Sequence, residues 1–179
     1  GYKAKNCNCL LDIDEYKAFT AREHIREQIE SILEQSYKNI EIYVRDDGSK
    51  DGTLTILKEY EERGLIHLEA GKNVGFVKSF EWLIANGGEA DYYAFSDQDD
   101  FWFPDKIKMA LELLDKSPSD VPVLYFSNYD YYDGELNFVA HRDCNHPNIS
   151  FANSMVDCVS LGFNSVFNRK AKDVVTEQM

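Results

Sequence analysis

Three aspartates fall within four residues at the end of an apolar run, in the stretch YYAFSDQDDFWFPDKI. Asp97, Asp99 and Asp100 repel one another in any compact fold, and a bound cation would relieve that repulsion. Two carboxylates separated by one residue, as in Asp97-Gln98-Asp99, can converge on one hard divalent ion, which prefers oxygen ligands. The competing interpretation is a solvated acidic turn, so the position of the stretch in the fold has to distinguish the two.

A second polar cluster, RDDGSKDGT, occupies residues 45–53. Asp, Gly and Ser favour turns and helix caps, so one interpretation is a simple turn. A second interpretation is a calcium loop, because Asp47, Ser49 and Asp51 match ligand positions of an EF-hand. Against it, Lys58 occupies the position at which an EF-hand needs a bidentate Glu. The third is nucleotide recognition, in which a strand-end carboxylate accepts hydrogen bonds from a base or a ribose.

Helix-period and strand-period segments alternate along the chain. Ile25, Ile29 and Ile32 follow the spacing of one helix face, whereas Ile40 and Ile42 alternate as in a strand. The same patterns predict strands at residues 8–13, 39–47, 65–70, 91–96, 121–132, 135–140 and 159–168, and helices at 22–35, 53–64, 75–88, 104–117 and from 170. This order predicts an α/β domain whose Rossmann-like, largely parallel sheet carries helices on both faces.

Both acidic clusters follow predicted strands of this sheet. Ligands of open α/β sheets bind at the carboxyl ends of the strands, where Asp46-Asp47 and the Asp97–Asp100 cluster are expected. Acidic runs that only keep a surface solvated would fall on helix faces as often as on strand ends. The placement therefore favours a metal and diphosphate site over a solvated turn. Because repeats and linkers are absent from the sequence, we expect one domain over residues 1–179.

Charge and composition exclude several classes of protein. The 179 residues include 19 basic and 32 acidic side chains, a net charge of −13, which argues against a nucleic-acid partner. No apolar run reaches the ~18 residues that a transmembrane segment needs, and no signal-peptide pattern is present. We therefore expect a cytoplasmic location. A peripheral position at the inner face of the membrane is compatible with it.

The cysteines indicate neither disulfides nor zinc. Cys7, Cys9, Cys144 and Cys158 are the four cysteines, and without a secretory signal reduced thiols are expected. A zinc site around Cys144 and its neighbouring histidines lacks a fourth ligand at a suitable spacing.

The chain resembles glycosyltransferase family 2 in three ordered segments, REQIESILEQSYKNIEIYVRDDGSKDGT, GKNVGFVKSFEWLI and DYYAFSDQDDFWFPDKI. The resemblance is to the nucleotide-sugar-binding half of the family, which has the GT-A fold, and to bacterial rhamnosyltransferase-type members that build surface polysaccharides. It extends from about Ile25 to about Lys172. It implies inverting transfer of a sugar from a dTDP- or UDP-sugar donor to a glycan or lipid-linked acceptor.

The resemblance also implies roles for the residues after the second and third strands. Asp46 matches the aspartate that binds the nucleotide base, and Asp47 and Ser49 lie beside it. Lys72 and Asn73 occupy the segment that lines the nucleotide pocket. Lys78, further along, is a weaker candidate for contact with phosphate.

The acidic stretch matches the family's metal motif. Asp97 corresponds to the residue near the ribose and the sugar, and Asp99 to the ligand of the Mn²⁺ or Mg²⁺ that bridges the diphosphate, so we expect the metal at Asp99 and Asp97. Asp100, Trp102 and Pro104 continue the motif, and its aromatic residues are expected to pack or to contact sugar.

Two expected features of the family are absent from this sequence. The family's Tyr-Asn pair does not follow Thr20, and the base, an aspartate in an acidic-aromatic motif, is expected beyond Met179. Asp157 and Asp173 lack the aromatic context and are interpreted as structural or solvated. The catalytic base is thus left unassigned, and the alternative function is a non-catalytic or truncated sugar-nucleotide-binding module.

Overall fold

The computed structural model describes residues 5–13, 18–133, 135, 137–144 and 161–179. The helices are α1 (Ala18–Leu33), α2 (Thr53–Glu62), α3 (Phe76–Asn86), α4 (Lys106–Leu114) and α5 (Arg169–Gln178). The strands are β1 (Cys7–Ile13), β2 (Ile40–Asp46), β3 (His67–Ala70), β4 (Tyr92–Asp97), β5 (Leu124–Phe126), β6 (Tyr129–Tyr132), β7 (Phe138–Arg142) and β8 (Ser165–Asn168). The predicted alternation of strands and helices is confirmed.

Six strands form the main sheet in the order β3-β2-β1-β4-β8-β5. The first four run parallel, and β8 lies antiparallel to both β4 and β5. The sheet is therefore largely parallel, as the sequence predicts, and β1 is at the centre of its parallel part.

Side chains of β1 alternate between the two faces of the sheet. Cys7, Cys9 and Leu11 pack in a core that contains α1, α2 and α4, whereas Leu10 packs in a second core with α3. Every described residue of β1 is buried, as expected for a strand covered on both faces. This burial confirms the prediction of helices on both faces.

The predicted strand at 121–132 is wrong, because the chain leaves the main sheet in the middle of it. Strand β5 pairs with β8, while β6 pairs with β7 in a separate two-stranded sheet. Asn164 stabilises the break: its carbonyl accepts the N–H of Ser127 at 3.0 Å and its side-chain amide donates to the Ser127 carbonyl at 2.8 Å. Alternating apolar residues cannot reveal such a change of partner, because both halves keep the same period.

Strands β6 and β7 pair antiparallel with each other, and Gly134, between them in the sequence, lies outside the described residues. The last strand begins at Ser165, because a 3₁₀ turn, Gly162–Asn164, precedes it. The thiols of Cys7, Cys9 and Cys144 are buried and reduced. Among the helices of the described ranges, none combines the length and apolar character needed to cross a membrane.

Candidate functional site

The register of the parallel strands brings the two acidic clusters to one edge. Asp46 lies opposite Ile13 at the end of β1, and Asp97 lies opposite Asp12 on the other side of the same strand. The ends of β2 and β4 therefore flank the end of β1. This edge is the carboxyl end of the sheet, where ligands of such folds bind.

Asp46 is a buried carboxylate with one oxygen unused. Its side chain is 1% exposed, and its Oδ2 accepts the N–H of Ser49 at 3.2 Å. Its Oδ1 is buried and has no hydrogen-bond partner, and the hydroxyl of Ser49 is in the same state. An unsatisfied buried carboxylate oxygen has a large free-energy cost, so this site is suited to a ligand that carries an N–H or O–H donor.

Asp47, the next residue, is used inside the fold. Its carboxylate pairs with the buried guanidinium of Arg45 and accepts the N–H groups of Val74 (2.9 Å) and Gly75 (2.9 Å) just before α3. Burial acts to raise the pKa of Asp47, but Arg45 and the two N–H groups outweigh it, and the pKa lies below its usual value. A ligand role for Asp47 stays a prediction, and any ligand would have to compete with these bonds.

The loops after β2 and β3 touch. Gly48 has a φ of +98°, and a Cβ placed there would lie 3.4 Å from the backbone nitrogen of Asn73. The side chains of Lys72 and Asn73 are exposed on the second loop. The structure thus brings Ser49, Lys72 and Asn73 to the edge that carries Asp46. Their roles toward a nucleotide stay predictions. Lys78 lies beyond them, exposed in the first half of α3.

The structure of the turn after β2 also tests the other two interpretations of residues 45–53, a simple turn and a calcium loop. Asp51 accepts the N–H of Thr53 at 3.0 Å, which is the cap-like turn that its residue types favour. Lys58 lies within α2, and a strand precedes the loop where an EF-hand would have a helix. The calcium-loop interpretation is therefore not supported.

The three aspartates of the opening stretch have different surroundings. Asp100 closes the turn, because its Oδ2 accepts the N–H of Asp97 at 3.0 Å and its own N–H donates to the Asp97 carbonyl at 3.3 Å. Asp97 is half-buried, while Asp99 is exposed. Burial raises the pKa of Asp100, and the Asp97 N–H and a neighbouring lysine oppose the rise. The outward carboxylate of this turn is that of Asp99.

This lysine is Lys106, which the sequence did not lead us to expect beside the acidic turn. Its Nζ lies 3.9 Å from the centre of the Trp102 ring and donates to the carbonyl of Phe163 at 2.6 Å. Burial lowers the pKa of Lys106, whereas the negative charge of Asp100 acts in the opposite direction. The crowded carboxylates thus have an internal cation on one side. Its position two residues after Pro104, where the predicted helix 104–117 begins, is the feature of the sequence that could have pointed to it.

The Phe-Trp-Phe segment is divided between core and surface. Trp102 is 2% exposed, and its backbone N–H donates to the hydroxyl of Ser31 on α1 at 3.1 Å. Phe101 and Phe103 are 61% and 54% exposed. Of the two predicted roles for these aromatics, Trp102 packs, and the phenylalanines flank it at the surface.

Truncation of Trp102 is expected to destabilise the protein far more than truncation of its neighbour. Trp102→Ala removes a fully buried aromatic side chain and should lower the free energy of unfolding by about 3–5 kcal/mol in urea denaturation. Phe101→Ala is the matched control, expected to stay within about 0.5 kcal/mol of the parent because the ring is exposed. Equal effects of the two variants would contradict this assignment.

No ready-made metal site of three or more His, Cys, Asp or Glu side chains occurs in the part of the chain that the structure describes. His146, one of the two histidines near Cys144 that were considered as zinc ligands, lies outside that part. A divalent ion at the acidic turn would therefore rest on Asp97 and Asp99 together with oxygen atoms of a bound ligand.

Comparison with known proteins agrees with the fold and indicates a family. A family model described as Glycosyl transferase family 2 matches residues 17–174. The mannosyltransferase PcManGT from Pyrobaculum calidifontis, solved in complex with GDP-Man and Mn²⁺, superimposes with a TM-score of 0.65. That match covers 97% of this chain and 47% of the other at 16% identity, and it confirms the predicted GT-A fold.

Two curated relatives are similar in sequence. The chain is 41% identical over 96 residues to the dTDP-rhamnosyl transferase RfbG of Shigella flexneri, which covers 50% of this chain and 33% of RfbG. It is 31% identical over 117 residues to the UDP-Glc:alpha-D-GlcNAc-diphosphoundecaprenol beta-1,3-glucosyltransferase WfaP of Escherichia coli, which covers 64% of this chain and 43% of WfaP. The chain thus spans between 33% and 43% of the length of these relatives. Since the family model matches most of its residues, the chain belongs to glycosyl transferase family 2.

Proposed function

We propose that this chain binds the donor in an inverting, metal-dependent glycosyltransferase that takes a sugar from a dTDP- or UDP-sugar. The observation that carries the proposal is the buried, unpartnered Oδ1 of Asp46 at the carboxyl edge of the sheet. The acceptor is a glycan or a lipid-linked glycan of bacterial surface polysaccharide synthesis. The names of RfbG and WfaP support this choice of donors and acceptor.

Asp46 would bind the base of the nucleotide. Uracil and thymine both present an imide N–H, and a buried carboxylate oxygen without a donor is its natural partner. Ser49 adds a hydroxyl that is also buried without a partner. Lys72 and Asn73 would line the same pocket from the neighbouring loop.

Asp99 and Asp97 would hold a divalent cation. The fit is chemical: carboxylate oxygens are the ligands that Mn²⁺ and Mg²⁺ prefer, and the Asp99 side chain is exposed at the turn. When bound, the ion would supply positive charge to the diphosphate as it leaves. The Mn²⁺ in the PcManGT complex supports the use of a divalent ion, while the choice of Asp99 and Asp97 rests on the sequence motif.

In the proposed reaction an acceptor hydroxyl oxygen bonds to the anomeric carbon from the face opposite the diphosphate. A carboxylate base takes the hydroxyl proton, and the bond between the anomeric carbon and the diphosphate oxygen breaks. We assign the base to none of the described residues. The chain's own contribution is to hold the nucleotide at the edge of β1 and so to orient the donor.

Isothermal calorimetry with UDP, dTDP and CDP, each with and without Mn²⁺, tests the donor site. We expect UDP or dTDP to bind in a Mn²⁺-dependent way. CDP should bind about tenfold more weakly, because N3 of cytosine is an acceptor where uracil has a donor. CDP carries the same diphosphate and ribose as UDP, so it isolates the contribution of the base.

Two results would count against the proposal. Absence of Mn²⁺-dependent binding to both UDP and dTDP would remove the donor site. Binding without any hydrolysis or transfer of the corresponding donor sugar would favour the alternative, a non-catalytic or truncated sugar-nucleotide-binding module.

A further inference from the structure

A buried arginine, Arg45, lies within strand β2, directly before Asp46. Its side chain is 6% exposed, although arginine is seldom buried without a specific partner. The guanidinium pairs with Asp47, donates to the hydroxyl of Ser79 at 3.0 Å, and donates to the carbonyl of Lys72 at 3.3 Å. One side chain thus connects β2, α3 and the loop after β3.

The partners of Arg45 extend this network to the central strand and to the start of α3. The Ser79 hydroxyl donates to Asp12, a buried carboxylate near the end of β1. Asp47, held by Arg45, accepts the N–H groups of Val74 and Gly75. The backbone of the loop at residues 71–75 is therefore bound at its first half by Arg45 and at its second half by Asp47.

The loop also lies in direct contact with the guanidinium. A Cβ placed on Gly71 would be 2.6 Å from Nη2 of Arg45, so the backbone passes as close as a residue without a side chain allows. The same loop also lies against Gly48, next to Ser49. The exposed side chains of Lys72 and Asn73 project from this clamped segment.

A buried ion pair by itself is weak evidence of stabilisation, because desolvation offsets the attraction between the charges. The geometry of this pair does fix an exposed loop, whose first residue is also held by the bond from the Gly71 N–H to the Asp46 carbonyl at 2.9 Å. Residues 72–74 are exposed, and loops with few buried contacts open at low free energy. The bonds from Arg45 and Asp47 counter such opening at Lys72, Val74 and Gly75.

We propose that Arg45 is a positioning residue for nucleotide binding, which holds the 71–75 loop against the Asp46 pocket from inside the fold. The proposal rests on the proposed function, since it names the nucleotide as the ligand that benefits. Arg45 itself would not contact the nucleotide. Its effect passes through the backbone of Lys72 and through Asp47.

The test combines amide hydrogen exchange with calorimetry on Arg45→Met, which keeps much of the side-chain volume and removes the charge and the donors. We expect the amides of Val74 and Gly75 to exchange at least about tenfold faster, because Asp47 loses the partner that fixes it. We expect UDP or dTDP, whichever the parent binds, to bind about tenfold more weakly with Mn²⁺ present. Arg26→Met is the matched control, since Arg26 forms an exposed ion pair with Glu59 at 2.6 Å.

Arg45→Lys keeps a buried positive charge, and it replaces Arg45→Met in the test if the methionine variant fails to fold. Lysine lacks the planar fork that serves several acceptors, so both readouts should change in the same direction by a smaller factor. A residue that only stabilises the fold would lower the unfolding midpoint and leave the nucleotide affinity of the folded protein unchanged. That pattern, or unchanged exchange at Val74 and Gly75, would overturn the proposal.

The two proposals fail in different ways. If the parent protein binds none of the nucleotides, the proposed function fails, and the inference about nucleotide binding falls with it. If the parent binds and Arg45→Met binds equally well with faster exchange in the loop, the proposed function stands and the role of Arg45 is refuted.

Discussion

Replacing Asp46 with asparagine is expected to weaken binding of UDP or dTDP by about 10- to 100-fold. A hydrogen bond to a charged group contributes about 1.5–3 kcal/mol, and the unpartnered Oδ1 is the atom offered to the base. Asparagine has the same shape and can still accept the N–H of Ser49, so the turn should persist. Calorimetry at fixed Mn²⁺ concentration measures the change.

Two comparisons make the Asp46 result specific. Glu41→Gln removes a carboxylate from the exposed beginning of the same strand and should leave affinity unchanged. CDP, which lacks the imide N–H, should lose less affinity than UDP on Asp46→Asn. An equal loss for CDP and UDP would show that the substitution acts through something other than the base, and an unchanged affinity for UDP would remove Asp46 from the site.

Replacing Asp99 with asparagine is expected to abolish the effect of Mn²⁺ on nucleotide-diphosphate binding. Loss of a residue that only supports a metal ligand lowers metal affinity by about 10- to 100-fold, so loss of a direct ligand should do at least as much. Affinity without metal should change little, because Asp99 is exposed and its proposed contact with the diphosphate is made through the ion. Titrating UDP into the variant with and without Mn²⁺ measures both quantities.

The control for Asp99 is Glu112→Gln, an exposed carboxylate on α4. It makes the same change of charge outside the proposed site, so it corrects for the lower net negative charge of the protein. The Mn²⁺ effect should persist in this control. A variant at Asp99 that retains the full Mn²⁺ effect would exclude this residue as a ligand.

The fold itself offsets part of the crowding of the three aspartates. Asp100 accepts the Asp97 N–H and closes the turn, and Lys106 supplies a positive charge from the core side. The two interpretations of the stretch, a solvated turn and a cation site, therefore omit an internal counter-charge. The proposed divalent ion would bind at the outer pair, Asp97 and Asp99.

Residue types and spacing alone determined the elements and the edge at which the site lies. The alternation along β2 and β4, and the polar residues that end them, are local properties of the chain. Because parallel strands of one sheet end at the same edge, locating the strand ends was enough to bring Asp46 and Asp97 near each other. The three ordered segments then identified the family correctly.

Only the tertiary structure decided which of two adjacent aspartates offers a free oxygen. Asp46 and Asp47 are identical in type, but Asp47 meets the N–H groups of Val74 and Gly75, and Asp46 keeps an unpartnered oxygen. The break between β5 and β6 and the roles of Arg45 and Lys106 were decided in the same way. Their partners, Ser79 and Phe163 among them, lie far along the chain, and packing alone sets which of them meet.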